Sequence, residues 1–231
     1  MLGERLRCDT CAVATRAACA ALSVDERREL AQWGHERELK RGETLFAAGA
    51  QNSMYATLVH GALKISSYDA DGTEHILSLV HPAGFAGELF APTLHHEIVA
   101  LTDSRVCLFP RSQYEQALIR FPQLGAALLR RSSQDLLETR TLVSAVSGRS
   151  AAKRVAGFVL AMARAAADVE CHPAAVFDLL LTRGEMASLL GLTIETVSRQ
   201  LTRLEKDGVI RRSGLRGVEL LDATRLESLA A

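Results

Sequence analysis

The chain has 231 residues, 48% of them hydrophobic and 23% charged, a globular composition with enough length for one large domain or two small ones. Lys plus Arg and Asp plus Glu both total 27, which excludes a uniformly basic nucleic-acid coat and an acidic tail, so any anion-binding charge must be local. No apolar run approaches the roughly 20 residues that cross a bilayer, and Met1 to Thr10 is charged where a signal peptide is apolar. A cytoplasmic protein with no membrane partner is expected.

In chain order, residues 1–22 form a cysteine-rich segment carrying Cys8, Cys11 and Cys19. The five cysteines are an odd number, and in a reducing compartment Cys is more often a buried small hydrophobe, a metal ligand or a reactive thiol than a disulfide partner. Ser23, with Glu26 three residues on, reads as the cap of a short helix. From Leu39 to Phe109, short apolar runs are broken by Gly42, Gly49, Gly61, Gly72, Gly84 and Gly87. That is the punctuation of strands and turns, and it assigns residues 23–120 to an antiparallel β-roll or barrel acting as a sensor domain. Within it, Tyr55 to Ser67 and Glu74 to Val80 read as the two arms of one hairpin, with Asp71-Gly72 in the turn.

Residues 121–149 read as a long helix after Phe121-Pro122. Leu129, Leu136 and Val143 recur at heptad spacing, with Ser132, Thr139 and Val146 on the second seam position. Such a stripe either packs on the β-roll of its own chain or pairs with a second copy. Its place between two distinct parts of the chain favours a homodimer joined through Leu129, Ser132, Leu136, Thr139 and Val143, with small polar seam residues keeping the pairing weak and tunable. A second helix is expected from Ser150 to Ala167, then a loop from Asp168 to Ala174, within a C-terminal domain of residues 150–231.

In that domain Arg183 to Leu190 places Met186, Leu189 and Leu190 on one face, Gly191 breaks the helix, and Thr193 caps a second helix that turns Val197, Leu201 and Leu204 inward. This is a helix-turn-helix, whose second helix docks in the major groove of double-stranded DNA. Glu195, Thr196, Ser198 and Arg199 face outward near its start. Arg199 can offer two donors to guanine O6 and N7, Glu195 can accept from cytosine N4, and Ser198 permits close approach. Arg203 follows on the same helix, and Gly208 ends it before a hairpin, Val209 to Leu220, that carries Arg211, Arg212 and Arg216. Between Arg183 and Gly217 seven basic residues face four acidic ones, a locally positive surface suited to phosphate contacts.

The stretch "LTRGEMASLLGLTIETVSRQLTRLEKDGVI", Leu181 to Ile210, resembles the winged helix of the Crp/Fnr regulators, and specifically of the fumarate and nitrate reduction regulator (FNR) branch. "RGETLFAAGA" and "YATLVHGALKI" extend the resemblance into the β-roll, so that it covers nearly the whole chain. It implies an α+β fold: an N-terminal β-roll of the cyclic-nucleotide-binding type, a long dimerisation helix and a C-terminal winged helix-turn-helix. It further implies a transcriptional activator that works with RNA polymerase, and a Glu-Ser-Arg set, here Glu195, Ser198 and Arg199, that reads a TTGAT half-site.

Cyclic-nucleotide-sensing relatives hold the cyclic phosphate with an Arg-Ser pair shortly after "GEL". Here Gly87-Glu88-Leu89 is followed by Phe90 to Glu97 with no Arg, and a buried phosphodiester without a guanidinium would be uncompensated. The spacing of Cys8, Cys11 and Cys19, with Cys107 far downstream, makes four thiolates available for a structural zinc or an iron-sulfur cluster. The FNR resemblance implies an oxygen-labile 4Fe-4S cluster on these four. The seven-residue gap before Cys19 is similar to FnrN-type members and departs from the five-residue gap of the enteric FNR. Cys171 matches no ligand and is read as a bystander. The alternative sensor is haem or another ligand, with His75, His81, His95 or His96 as the axial residue. The alternative of another class, an enzyme with a nucleophilic Cys beside His95 or His96, lacks a third orienting group and leaves the helix-turn-helix unexplained. The expected protein is therefore an oxygen-responsive regulator, active at low oxygen, and not an enzyme.

Overall fold

The computed structural model describes the backbone of residues 4–146, 150–167 and 172–231, and the side chains among them except those of 4, 5, 138, 139 and 141–146. The chain divides into two units, Met1–Glu138 and Thr139–Ala231, in the α+β architecture expected. Among the described residues no helix is long and apolar enough to cross a membrane.

The first unit contains β1 (Glu4–Arg5), α1 (Val24–Trp33), β2 (His35–Leu39), β3 (Thr44–Phe46), β4 (Met54–His60), β5 (Leu63–Tyr68), β6 (Glu74–Val80), β7 (Phe85–Ala86), β8 (Glu97–Ala100), β9 (Ser104–Pro110), α2 (Arg111–Arg120) and α3 (Pro122–Val146), the last running past the boundary. Two sheets, ordered β1-β2-β9-β4-β7 and β3-β8-β5-β6, form the roll. Leu39, Leu58, Leu63, Ile98, Val106 and Leu108 fill its interior. The capping box at Ser23 is formed: its hydroxyl accepts from the Glu26 N–H at 3.3 Å, and the Glu26 carboxylate accepts from the Ser23 N–H at 2.8 Å.

The hairpin expected from Tyr55 to Val80 is only half present. Its second part holds, with β5 paired to β6 and the Gly72 N–H donating to the Asp69 carbonyl at 2.9 Å. Its first arm breaks at Gly61, where the chain leaves one sheet (β4 beside β9) and enters the other (β5 beside β8). Gly61 has φ +91°, and the next amide, Ala62 N–H, donates to the hydroxyls of Thr102 and Ser104. An apolar run that continues through a sheet-to-sheet corner looks like one strand in sequence, because both halves face the same core.

Alternation along β9 divides its side chains between two surfaces. Val106 and Leu108 enter the roll interior, whereas Cys107 and Phe109 face outward. There Phe109 joins Tyr55, Tyr114, Phe121, Leu124 and Leu128 in a second apolar cluster that also takes in Leu22 and Leu30. This cluster seats α2 and the first turns of α3. Pro122 opens α3, where its missing N–H costs nothing. Farther along, Leu129 and Leu136 are 69% and 49% exposed and Ser132 is exposed too, so these seam positions do not pack on their own β-roll. Thr139 and Val143 lie outside the described side chains.

The second unit contains α4 (Ala151–Ala165), β10 (Val176–Asp178), α5 (Arg183–Leu190), α6 (Ile194–Lys206), β11 (Ile210–Ser213), β12 (Gly217–Leu220) and α7 (Ala223–Ala230). Ser150 caps α4, accepting from the Lys153 N–H. Val155, Val159, Met162 and Ala163 of α4 are buried with Val197, Leu201 and Leu226 of α6 and α7. The wing is three-stranded rather than a two-stranded hairpin, because β10 pairs with β12. That strand and α7 were not expected from the sequence, although Asp222 caps α7 by accepting from the Arg225 N–H. Cys171 lies outside the described residues.

Gly61 and Gly72 separate two costs of a side chain. A Cβ at Gly61 would stand 2.2 Å from Ser104 Oγ and 2.7 Å from the Asp103 carbonyl, whereas at Gly72, φ +84°, nothing lies within 4 Å. Gly72→Ala is expected to cost about 1 kcal/mol for the left-handed backbone alone, and Gly61→Ala about 2 to 4 kcal/mol, with strain and a clash at the corner combined. Urea denaturation of the two variants checks this. Equal losses would contradict the corner's role.

Candidate cluster site and nucleic-acid interface

Cys107 is central in the outer sheet, opposite Glu36 of β2 and Thr57 of β4. The cysteine-rich N-terminal segment lies over this face because Val13 and Ala17, 1% and 3% exposed, pack with Val59 and Ala83. Cys8 opens one 3-10 turn, Cys8–Thr10, and Cys19 lies in another, Ala18–Ala21. The seven residues between Cys11 and Cys19 make their own turns, with Ala14 N–H donating to the Cys11 carbonyl and Ala17 N–H to the Val13 carbonyl. The longer gap thus supplies the two side chains that anchor the segment.

As a result Cys8, Cys11 and Cys19 and the sequence-remote Cys107 line one cavity with Leu6, Leu30, Phe109, Tyr114 and Arg27. All four are free thiols. Burial first, then neighbouring cysteines, pushes Cys19 up to about 11 and raises Cys8 and Cys107 too, while Arg27 draws Cys8 and Cys19 back down. Among the described residues no group of three His, Cys, Asp or Glu is placed to hold a metal ion. The donor set is nonetheless soft and thiol-only, and it has an orphan beside it: Arg27 Nε is buried without a hydrogen-bond partner. Four thiols and an unsatisfied cationic donor on one apolar cavity fit an anionic iron-sulfur group.

The candidate haem histidines do not converge. His75 is bonded to Asp69 at 2.7 Å, and the rings of His95 and His96 both lie on Glu88. Glu88 also accepts from the backbone N–H groups of His95 and His96 at 2.9 and 3.1 Å, so this loop satisfies its own carboxylate. His81 is largely buried, which lowers its pKa, and Arg131 lowers it further.

In the second unit, Thr182 and Glu185 form a capping box at the start of α5, and Gly191 sits in the left-handed region at φ 59°. Thr193 then caps α6, accepting from the Thr196 N–H at 3.2 Å. With Val197, Leu201 and Leu204 buried, α6 displays Glu195, Arg199 and Arg203 to solvent, with Thr196 and Ser198 partly exposed between them. Glu195 is held below the usual carboxylate range by its own backbone N–H and by Thr193. Sequence reading missed Arg154, whose Nη1 on α4 donates to the carbonyls of Leu190 and Gly191 at 3.1 and 3.4 Å and pins the turn. Three arginines of this basic surface, Arg203, Arg211 and Arg212, differ in surroundings. Arg203 makes a long ion pair with Asp207, 3.8 Å, and Arg211 pairs across the wing with Glu219 at 2.7 Å. Arg212 is committed to α6: its Nε donates to Glu205 at 2.9 Å and its backbone N–H to the same carboxylate at 3.2 Å.

Residues 36–121 match the family model of the cyclic nucleotide-binding domain, and residues 153–229 that of the Crp-like helix-turn-helix domain. The sequence is 33% identical to a probable transcriptional activator of Rhizobium leguminosarum bv. viciae, over 98% of this chain and 94% of that one. It is 33% identical to the transcriptional activator protein FnrL of Cereibacter sphaeroides, over 95% of this chain and 90% of that one. Among solved structures, FixK2 from Bradyrhizobium japonicum superposes with a TM-score of 0.77 at 27% identity, covering 86% of this chain and 98% of the other. With both family models side by side and such relatives along nearly its whole length, the chain belongs to the Crp/Fnr family of DNA-binding transcription regulators and is not an enzyme.

Proposed function

We propose that the protein is a cytoplasmic, oxygen-responsive transcriptional activator that holds a 4Fe-4S cluster on Cys8, Cys11, Cys19 and Cys107. In this reading it binds a TTGAT-like palindrome as a homodimer at low oxygen and recruits RNA polymerase. The observation that carries it is the convergence on one cavity of three thiols from the N-terminal segment with a fourth, Cys107, from far along the sequence. The name of its relative FnrL supports the same sensor class. A structural zinc would have to draw all four sulfurs to about 2.3 Å from one ion. A cubane asks for one thiolate at each of four irons and tolerates a wider set.

When bound, the cluster would supply an oxygen-labile centre that offsets part of the charge of the four thiolates and leaves the group anionic. The residues around it provide the rest of the response. Phe109 and Tyr114 both line the cavity and pack in the apolar cluster that holds Leu124 and Leu128 of α3. A change in how tightly the N-terminal segment seats is therefore felt where α3 begins. The exposed Leu129 and Leu136 continue that helix, with Ser132 between them, and a seam this polar is balanced finely enough for the sensor to decide dimerisation. At the far end, two copies of α6 present Glu195, Ser198 and Arg199 to the two halves of the palindrome.

Protein purified without oxygen is expected to carry about four iron and four sulfide per chain. Ser at any one of Cys8, Cys11, Cys19 or Cys107 should abolish this, and Cys171→Ser should not. Stoichiometric zinc in colourless protein would overturn the reading.

Leu136→Glu is expected to block dimer formation by placing like charges across the axis. Sedimentation under nitrogen reads this, and a dimeric variant would refute the assigned seam.

Arg199→Ala should cost roughly 1 to 3 kcal/mol on the TTGAT-type site and relax preference at one base pair. Arg212 should behave differently, since Glu205 holds its guanidinium. Arg212→Ala and Glu205→Gln are each expected to weaken binding to all sequences, with the double variant no worse than either alone. If Arg212 were instead a direct phosphate contact, Arg212→Ala alone would lower the salt slope by about one.

A further inference from the structure

We propose that Arg27 tunes the group bound by the four cysteines, donating its buried Nε–H to a sulfur on the cavity wall and raising the reduction potential and oxygen tolerance of the site. The inference rests on the four-thiol reading above. One face of α1 supplies Arg27, Leu30 and Ala31 to the cavity that Cys8, Cys11, Cys19 and Cys107 line, as the i, i+3, i+4 spacing requires. The neighbouring Arg28 is turned to the surface instead, where it pairs with Asp9 and Asp25. Among the described residues the Arg27 side chain has one hydrogen-bond partner, the Leu22 carbonyl, which accepts from Nη2 at 3.3 Å at the end of the turn that carries Cys19. Its Nε, buried and without a partner, is left for something in the cavity. Buried donors are satisfied in native proteins, and a fixed guanidinium N–H is well matched to an anionic sulfur.

A second guanidinium lies close by. Arg105 also has a buried, unpartnered Nε, on the adjoining cleft with Cys8, Cys11 and Cys107. It differs in having a counter-charge, an ion pair with Glu36 at 3.8 Å. Its positive charge is thus partly cancelled, and Cys19 does not line its cleft, whereas Arg27 shares one cavity with all four cysteines. Hydrogen bonds to sulfur and nearby positive charge both favour the more negative, reduced form of an iron-sulfur group. The same favouring opposes loss of an electron to oxygen.

The test is a mediated redox titration with dithionite as electron donor, after iron and sulfide analysis of each anaerobic sample. Arg27→Gln keeps reach and loses charge, and Arg27→Lys keeps charge and loses the Nε–H. At a fixed potential, Arg27→Gln is expected to lower the ratio of reduced to oxidised cluster about tenfold, a downward shift of about 59 mV for one electron. Arg27→Lys should fall between it and the wild type, Arg105→Gln should move less, and loss of visible absorbance in air should be faster in Arg27→Gln. Titrations of fully loaded wild type and Arg27→Gln that superimpose would overturn the role of Arg27 and leave the four-thiol reading standing. If Arg27→Gln does not load, Arg27→Lys decides: a midpoint equal to wild type overturns the inference, and a lower one supports it. Wild-type protein without iron and sulfide overturns the four-thiol reading, and this inference with it.

Discussion

A thiol buried among other thiols resists ionisation, because each thiolate would lose its hydration and repel the next. The first unit of this protein gathers four such groups behind an apolar wall, with Cys19 pushed up to about 11 and Cys8 and Cys107 raised with it. Coordination by a metal centre deprotonates a thiol outright, and it turns an awkward cavity into a source of binding energy that exists only while the segment is seated. The anchoring of that segment is otherwise modest, resting mainly on Val13 and Ala17 packed against Val59 and Ala83. Under the proposed reading, occupancy of the cavity and docking of residues 6–22 are one equilibrium.

Its consequences spread through shared side chains. Phe109 and Tyr114 belong both to the thiol cavity and to the apolar cluster under α3, and so the start of the long helix stands on the wall of that cavity. Farther along, α3 offers solvent a stripe too polar at Ser132 to pair strongly and too apolar at Leu129 and Leu136 to be indifferent. At the DNA-binding end the design is the opposite. Capping by Thr182 and Thr193, the left-handed Gly191 and the Arg154 clamp fix the turn, and the Arg212–Glu205 pair fixes the wing on α6. A rigid reader suits the proposed switch, in which two copies are brought together.

The readable parts of the sequence were those with local causes. Ser23 and Glu26, Thr193, Gly191 and the inward set Val197, Leu201 and Leu204 each declare a cap, a turn or a face within a few residues, and each has that place in the fold. The convergence of Cys107 with Cys8, Cys11 and Cys19 was expected from family likeness. Its physical cause, alternation along β9 that turns residue 107 away from the core, becomes visible only once the strand is known. Features with distant causes stayed hidden. The corner at Gly61 depends on Ser104, the third wing strand β10 on β12, and the use of Arg212 on Glu205. An arginine in a wing looks the same in sequence whether it meets a phosphate or a neighbouring carboxylate.

The central claim, that the thiol cavity and the start of α3 respond as one body, is tested most directly by hydrogen–deuterium exchange on the full chain under nitrogen, before and after the cysteine site is stripped with oxygen. The account predicts that amides of the N-terminal segment around Val13–Leu22 and those of α2 and the first turns of α3, Arg111 to about Leu128, lose protection together, while α5 and α6 do not change beyond what loss of the dimer explains. Deprotection confined to the N-terminal segment, with α2 and α3 unaltered, would contradict it.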